Sequence, residues 1–157
     1  MKLIKADGDN LIFQIGKRDK RILIEVLKFY PVMPAKYQPI SKSTRAAAIE
    51  ENQRLLETAL TEHRRENRKQ LEAMLAEPHR FQENEDGYRF TLSAAQMEWL
   101  LQILNDVRVG SWLILGCPDE KQGNSVKVTE RNSHYLWAME IGGYFQHKLL
   151  QALDRTA

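Results

Sequence analysis

Asn105, Asp106 and Arg108 interrupt an otherwise apolar stretch, Ser93 to Gly116, and are the polar residues of this chain best placed to do chemistry. An ionised group far from water needs an opposite charge or hydrogen bonds. Asp106 and Arg108 therefore point either to an ion pair that fixes helix packing or to a partly buried polar pocket. Trp112 follows Arg108 by one helical turn, so its ring can stack on the guanidinium. Glu140 and Tyr144, on the last apolar segment, complete this candidate ligand pocket. Glu140 and His147 stand seven residues apart and would share a helix face, a carboxylate and an imidazole suited to acid–base work.

A second constellation lies in the polar run Thr61 to Gln70. At helical spacing Arg64 and Arg68 form one row, Arg65 and Lys69 the next, and Glu62 and Glu66 a third. Such rows make a solvated face or, with four cations together, a site for nucleic acid or another polyanion. The whole chain carries a net charge of only +2, which argues against a dedicated nucleic-acid binder. Residues 1–30 hold seven basic and four acidic groups and residues 81–116 two and five, so these segments have opposite sign.

Several chemistries have no support. There is no Gly-rich phosphate loop and no nucleophile elbow. His63, His79, His134 and His147 have no His or Cys three or four residues away, so no metal site or cofactor is expected. Cys117 is the only cysteine; no internal disulfide can form, and the chain fits a reducing compartment such as the cytoplasm. The first residues, MKLIKADGD, lack a signal-peptide core, and the longest uncharged apolar stretch, Val109 to Pro118, is too short to span a bilayer. An association with membranes is not expected.

The elements that must position these residues are mainly helices. Ser93 and Gln96 have the spacing of a capping box, and the helix they open, 93–116, is apolar nearly all round and reads as the centre of the fold. Asp19 caps a helix 19–30, and Asn132 or Ser133 caps a helix 132–154. Gly142-Gly143 in mid-helix implies close packing, with Gly110 and Ser111 as partners. Strands 2–6 and 11–15 flank the turn Asp7–Asn10, and Tyr88, Phe90 and Leu92 alternate in a strand 88–92. Pro31, Pro34 and Pro39 make the following stretch a loop, and residues 117–131 have the composition of a flexible one. At 157 residues the chain is one domain: mainly α within an α+β class, four helices with a small antiparallel three-stranded sheet.

Phe90-Thr-Leu-Ser93, Leu104-Asn-Asp-Val-Arg108 and Leu113-Ile-Leu-Gly116 resemble a family of small bacterial proteins of the domain-of-unknown-function type. The likeness covers residues 88–116. It implies a helical cytoplasmic protein, and the family has no assigned activity whose residues could be carried over.

The longest helix, 44–77, carries the functional expectation. It would measure about 50 Å, longer than a domain of this size is wide. Leu55, Leu56 and Leu60 lie on one side of its polar middle and Leu71, Met74 and Leu75 on the other. Two arrangements follow. The helix breaks and folds back, or it projects and offers Leu71, Met74 and Leu75 to a protein partner, in the simplest case a second copy in a homodimer. The second makes the protein a non-enzymatic interaction module. Polyanion binding at Arg64, Arg65, Arg68 and Lys69 is the alternative, and a ligand or enzymatic site at Asp106 and Arg108 the third reading.

Overall fold

The computed structural model describes residues 1–32 and 46–156, arranged as four helices and a four-stranded antiparallel sheet. Strands β1 (Lys2–Asp7) and β2 (Asn10–Ile15) form the expected hairpin, and β4 (Gly87–Ser93) pairs with β2 in the register Phe13 to Phe90. One strand was not foreseen. β3 (Phe81–Asn84) adds to the far edge of β4 and makes the order β1-β2-β4-β3. Only Phe81 within it is apolar enough to signal a strand; its ring stacks on Phe90 at 4.6 Å, while Lys20 lies over the neighbouring Tyr88 ring at 3.7 Å. Alternation along β2 and β4 puts Leu11, Phe13, Ile15, Phe90 and Leu92 in the core.

Helix α1 (Lys17–Leu27) starts two residues earlier than the periodicity implies, with Gly16 rather than Asp19 at the cap. Asp19 sits inside the first turn, where its charge meets the positive end of the helix dipole. Helix α2 is one continuous element, Ala46–Ala76, so it does not break and fold back. Helix α3 (Ala94–Ile114) begins at the capping box as read, Ser93 Oγ accepting from the Gln96 amide at 3.1 Å and Gln96 Oε1 accepting from the Ser93 amide at 3.0 Å. Its partner α4 runs over Ser133–Thr156.

α3 packs chiefly on α4 and touches α1 and β4. It is not covered all round: Met97, Leu100, Leu104 and Val107 are buried, whereas Val109 and Trp112 remain 38% exposed. The crossing with α4 also falls elsewhere than expected. Gly142 approaches Leu104 and Arg108, not Gly110 and Ser111, and a methyl group at Gly142 would sit 3.5 Å from the Leu104 carbonyl oxygen, an ordinary contact. Residues 117–131 have more structure than their composition implies. Asp119 bridges to Asn124, whose side chain donates to the Gly116 and Cys117 carbonyls.

Arg80 ties these pieces together, although nothing in its sequence context marks it. Its side chain is buried and donates to the Thr91 carbonyl, to Gln96 Oε1 at 3.0 Å and to Glu77 Oε2 at 2.5 Å. The end of α2, strand β4 and the cap of α3 thus share one guanidinium, whose planar set of donors suits three acceptors at once. The proline-rich stretch beyond Val32, with Pro34, Tyr37 and Pro39, lies outside the described residues.

Candidate functional site

The place where α2 meets the body is built largely from polar groups that join the helix to the end of α1 and to α3. Arg68 donates to the backbone carbonyls of Lys28 at 2.9 Å and Tyr30 at 2.6 Å, capping the end of α1, and its Nε donates to Glu72 at 2.6 Å. The preceding residue, Asn67, donates to the Tyr30 hydroxyl at 3.2 Å and accepts from the Trp99 indole at 3.3 Å. The same amide nitrogen meets His63 Nε2 at 3.2 Å, a bond that requires that ring nitrogen to be unprotonated. Arg64 faces Asp106 at 3.9 Å. Around these side chains lies a cleft of about 170 Å³, with Leu60 at its outer lip.

Burial pushes the Tyr30 phenol above its ordinary 10.0; the Asn67 hydrogen bond pulls it down, Asp106 pushes it up and Arg64 pulls it down. A raised phenol is neutral near pH 7 and is no nucleophile. Asn67 uses both its oxygen and its amide hydrogens on protein groups, which is what a structural joint requires. The phenol has a consequence for stability. A neutral form favoured by folding gives stability that is complete below pH 10 and is lost as pH rises through the elevated folded value. Melting followed from pH 9 to pH 12 should show that fall, and Tyr30→Phe should make it shallower; an unchanged slope would contradict the buried phenol.

The six residues of the expected ligand pocket do not converge. Successive residues on a helix turn by about 100°, so Asp106 and Arg108 point about 160° apart, to nearly opposite sides. Asp106 faces α2, whereas the Arg108 side chain lies against Gly142 and Gly143. Asn105 accepts from Gln146 at 3.4 Å. Trp112 donates to the Pro118 carbonyl at 3.1 Å and borders, with Arg108, Val109 and Met139, an open groove of about 470 Å³. Glu140 is exposed, and Tyr144 packs edge-on to Phe145. Tyr144 also has a phenol raised by desolvation and by Asp19. The stack of Arg108 on Trp112 is replaced by the packing of Arg108 against α4.

The basic rows on α2 divide in the same way. Arg64 and Arg68 turn toward the body, and Arg65 and Lys69 are exposed. The apolar sets exchange roles. Leu71 and Met74 are buried in this chain's own core, at 2% and 4% exposure, and Leu75 packs against it, so they are not the outward face. The open set is the other one: Leu55, Leu56 and Leu60, at 61%, 40% and 38%. Helical spacing could not decide which end of α2 is docked, because that depends on where Tyr30 and Trp99 lie.

Comparison with known proteins finds no matching family model, curated protein or solved structure. Any function must therefore be read from the site itself. Among the described residues no group of three or more His, Cys, Asp or Glu side chains could hold a metal ion, and no helix is long and apolar enough to cross a membrane.

Proposed function

We propose that this protein is a protein-interaction module, in which a compact α+β body holds α2 rigidly at its base and presents the outer part of that helix to a partner. The observation that carries this reading is the exposure of Leu55, Leu56 and Leu60 on a helix whose lower residues, Leu71 and Met74, are buried. Clustered exposed leucines on a charged helix mark a surface that another chain covers. Three supports at the base, Arg68 on the α1 carbonyls, Asn67 on Tyr30 and Trp99, and Arg64 on Asp106, keep that surface pointed outward. Polyanion binding is the weaker reading, because two of its four cations face the body. The single cysteine is consistent with a partner met in a reducing compartment.

Photo-crosslinking tests the module directly. A photoreactive amino acid in place of Ala59, between Leu56 and Leu60, should give a discrete covalent adduct in living cells. Leu56→Asp or Leu60→Asp in the same chain should remove it. A chain that gives no adduct at position 59 while remaining folded would rule out the reading.

A further inference from the structure

The outer part of α2 is complementary to itself. Leu55, Leu56, Ala59 and Leu60 are all exposed. Glu50-Glu51 ends four residues before Leu55, and Arg64-Arg65 begins four residues after Leu60. The apolar group is thus flanked at equal distances by a pair of acids on one side and a pair of bases on the other. Within the same span Arg54 precedes the midpoint and Glu62 follows it, repeating the inversion of sign with the order reversed.

Building on the interaction reading, we infer that the partner of α2 is α2 of a second copy of this chain, laid antiparallel about a two-fold axis between Glu57 and Thr58. That arrangement sets Leu55 against the partner's Leu60 and Leu56 against the partner's Ala59. It also sets Glu51 level, to within a residue, with the partner's Arg65, while Arg64 stays with Asp106 of its own body. A parallel pair would set acid against acid and base against base, so the charges select the antiparallel one. An isologous two-fold contact needs one self-complementary patch, which is what the chain supplies. Glu51 and Arg65 are fourteen residues apart, about four turns, and therefore share a flank of the helix. Both are exposed. The bodies, attached near Asn67 to Met74, then sit at opposite ends of the helix pair. Four apolar side chains per copy make a small contact, so the dimer is reversible and forms at high protein concentration.

Light scattering coupled to gel filtration, over a hundredfold range of concentration, tests this with a pair of charge variants. The native chain should move from monomer mass toward twice that mass, and less so at high salt. Glu51→Arg alone and Arg65→Glu alone should each stay monomeric, because each places like charges across the two-fold axis. An equimolar mixture of the two should recover the dimer, as a heterodimer with both contacts attractive. Melting curves equal to the native one establish that both variants are folded. A native chain that stays monomeric throughout would overturn the inference, and so would a dimer indifferent to both substitutions or a mixture that fails to pair. A monomer that still gives a position-59 adduct to a protein of another mass would leave the interaction module standing and remove self-pairing alone.

Discussion

Leu71→Asp is expected to lower stability by about 4 kcal/mol or more, whereas Leu56→Asp should change it by less than about 1 kcal/mol. The two leucines lie on the same helix, fifteen residues apart, and differ only in what surrounds them. Leu71 is 2% exposed and belongs to the core cluster that includes Tyr30, Met97 and Leu100. A carboxylate there loses the packing of the leucine and most of its own hydration. Leu56 is 40% exposed, and an aspartate there keeps its water. Domains are stable by only about 5–15 kcal/mol, so the first variant should be largely unfolded or strongly destabilised in urea and the second should melt with the native chain. Equal losses at the two positions would mean that both ends of α2 are buried, against the structure.

Gly87→Ala should be nearly as damaging, by about 3 kcal/mol or more, which for a domain of this size is a fall of roughly 10 °C in melting temperature. Gly87 opens β4 at the turn from β3 with φ of 128°, a conformation that L side chains rarely adopt. A methyl group there would stand 2.5 Å from the Ile15 carbonyl oxygen and 3.0 Å from the Gly16 α-carbon. Both are backbone atoms at the junction of β2 and α1, and neither can swing aside as a side chain would. Relief requires moving the β2–β4 pairing that carries Phe13 and Phe90. A native-like melt for this variant would contradict the geometry of the turn.

The strands that alternate and the helices that cap themselves were legible in the sequence. Ser93 and Gln96 announce α3 because a capping box is a local device, complete within four residues. Phe13 and Phe90 announce β2 and β4 because alternation needs no knowledge of partners. β3 escaped because its core contact rests on one residue, Phe81, and its place is set by the hairpin with β4. The candidate pocket failed for a geometric reason that the spacing already contained. Asp106 and Arg108 are two positions apart on a helix and cannot face one cavity, and only the location of α2 shows that Asp106 belongs with Arg64. The two leucine sets on α2 were both visible. Which was docked was not, since the decision rests on contacts from Tyr30 and Trp99, thirty or more residues distant in the chain. Arg80 gave no local signal, because a buried arginine is recognised by its acceptors, and these come from three separate elements.

Hydrogen exchange along α2 tests the central claim, that this helix is anchored at one end and open at the other. Amides held in the core exchange only through large openings, whereas those of an uncovered helix segment open locally, and a solvent-exposed stretch of about fifteen residues is marginal as a helix by itself. In dilute protein the amides of Leu71 and Met74 should be protected as well as those of Leu100 and Leu104 in α3. The amides of Leu55 to Leu60 should exchange far faster, and should slow as protein concentration is raised and the face is covered. Uniform protection from residue 50 to residue 76 in dilute protein, at the level of α3, would contradict it.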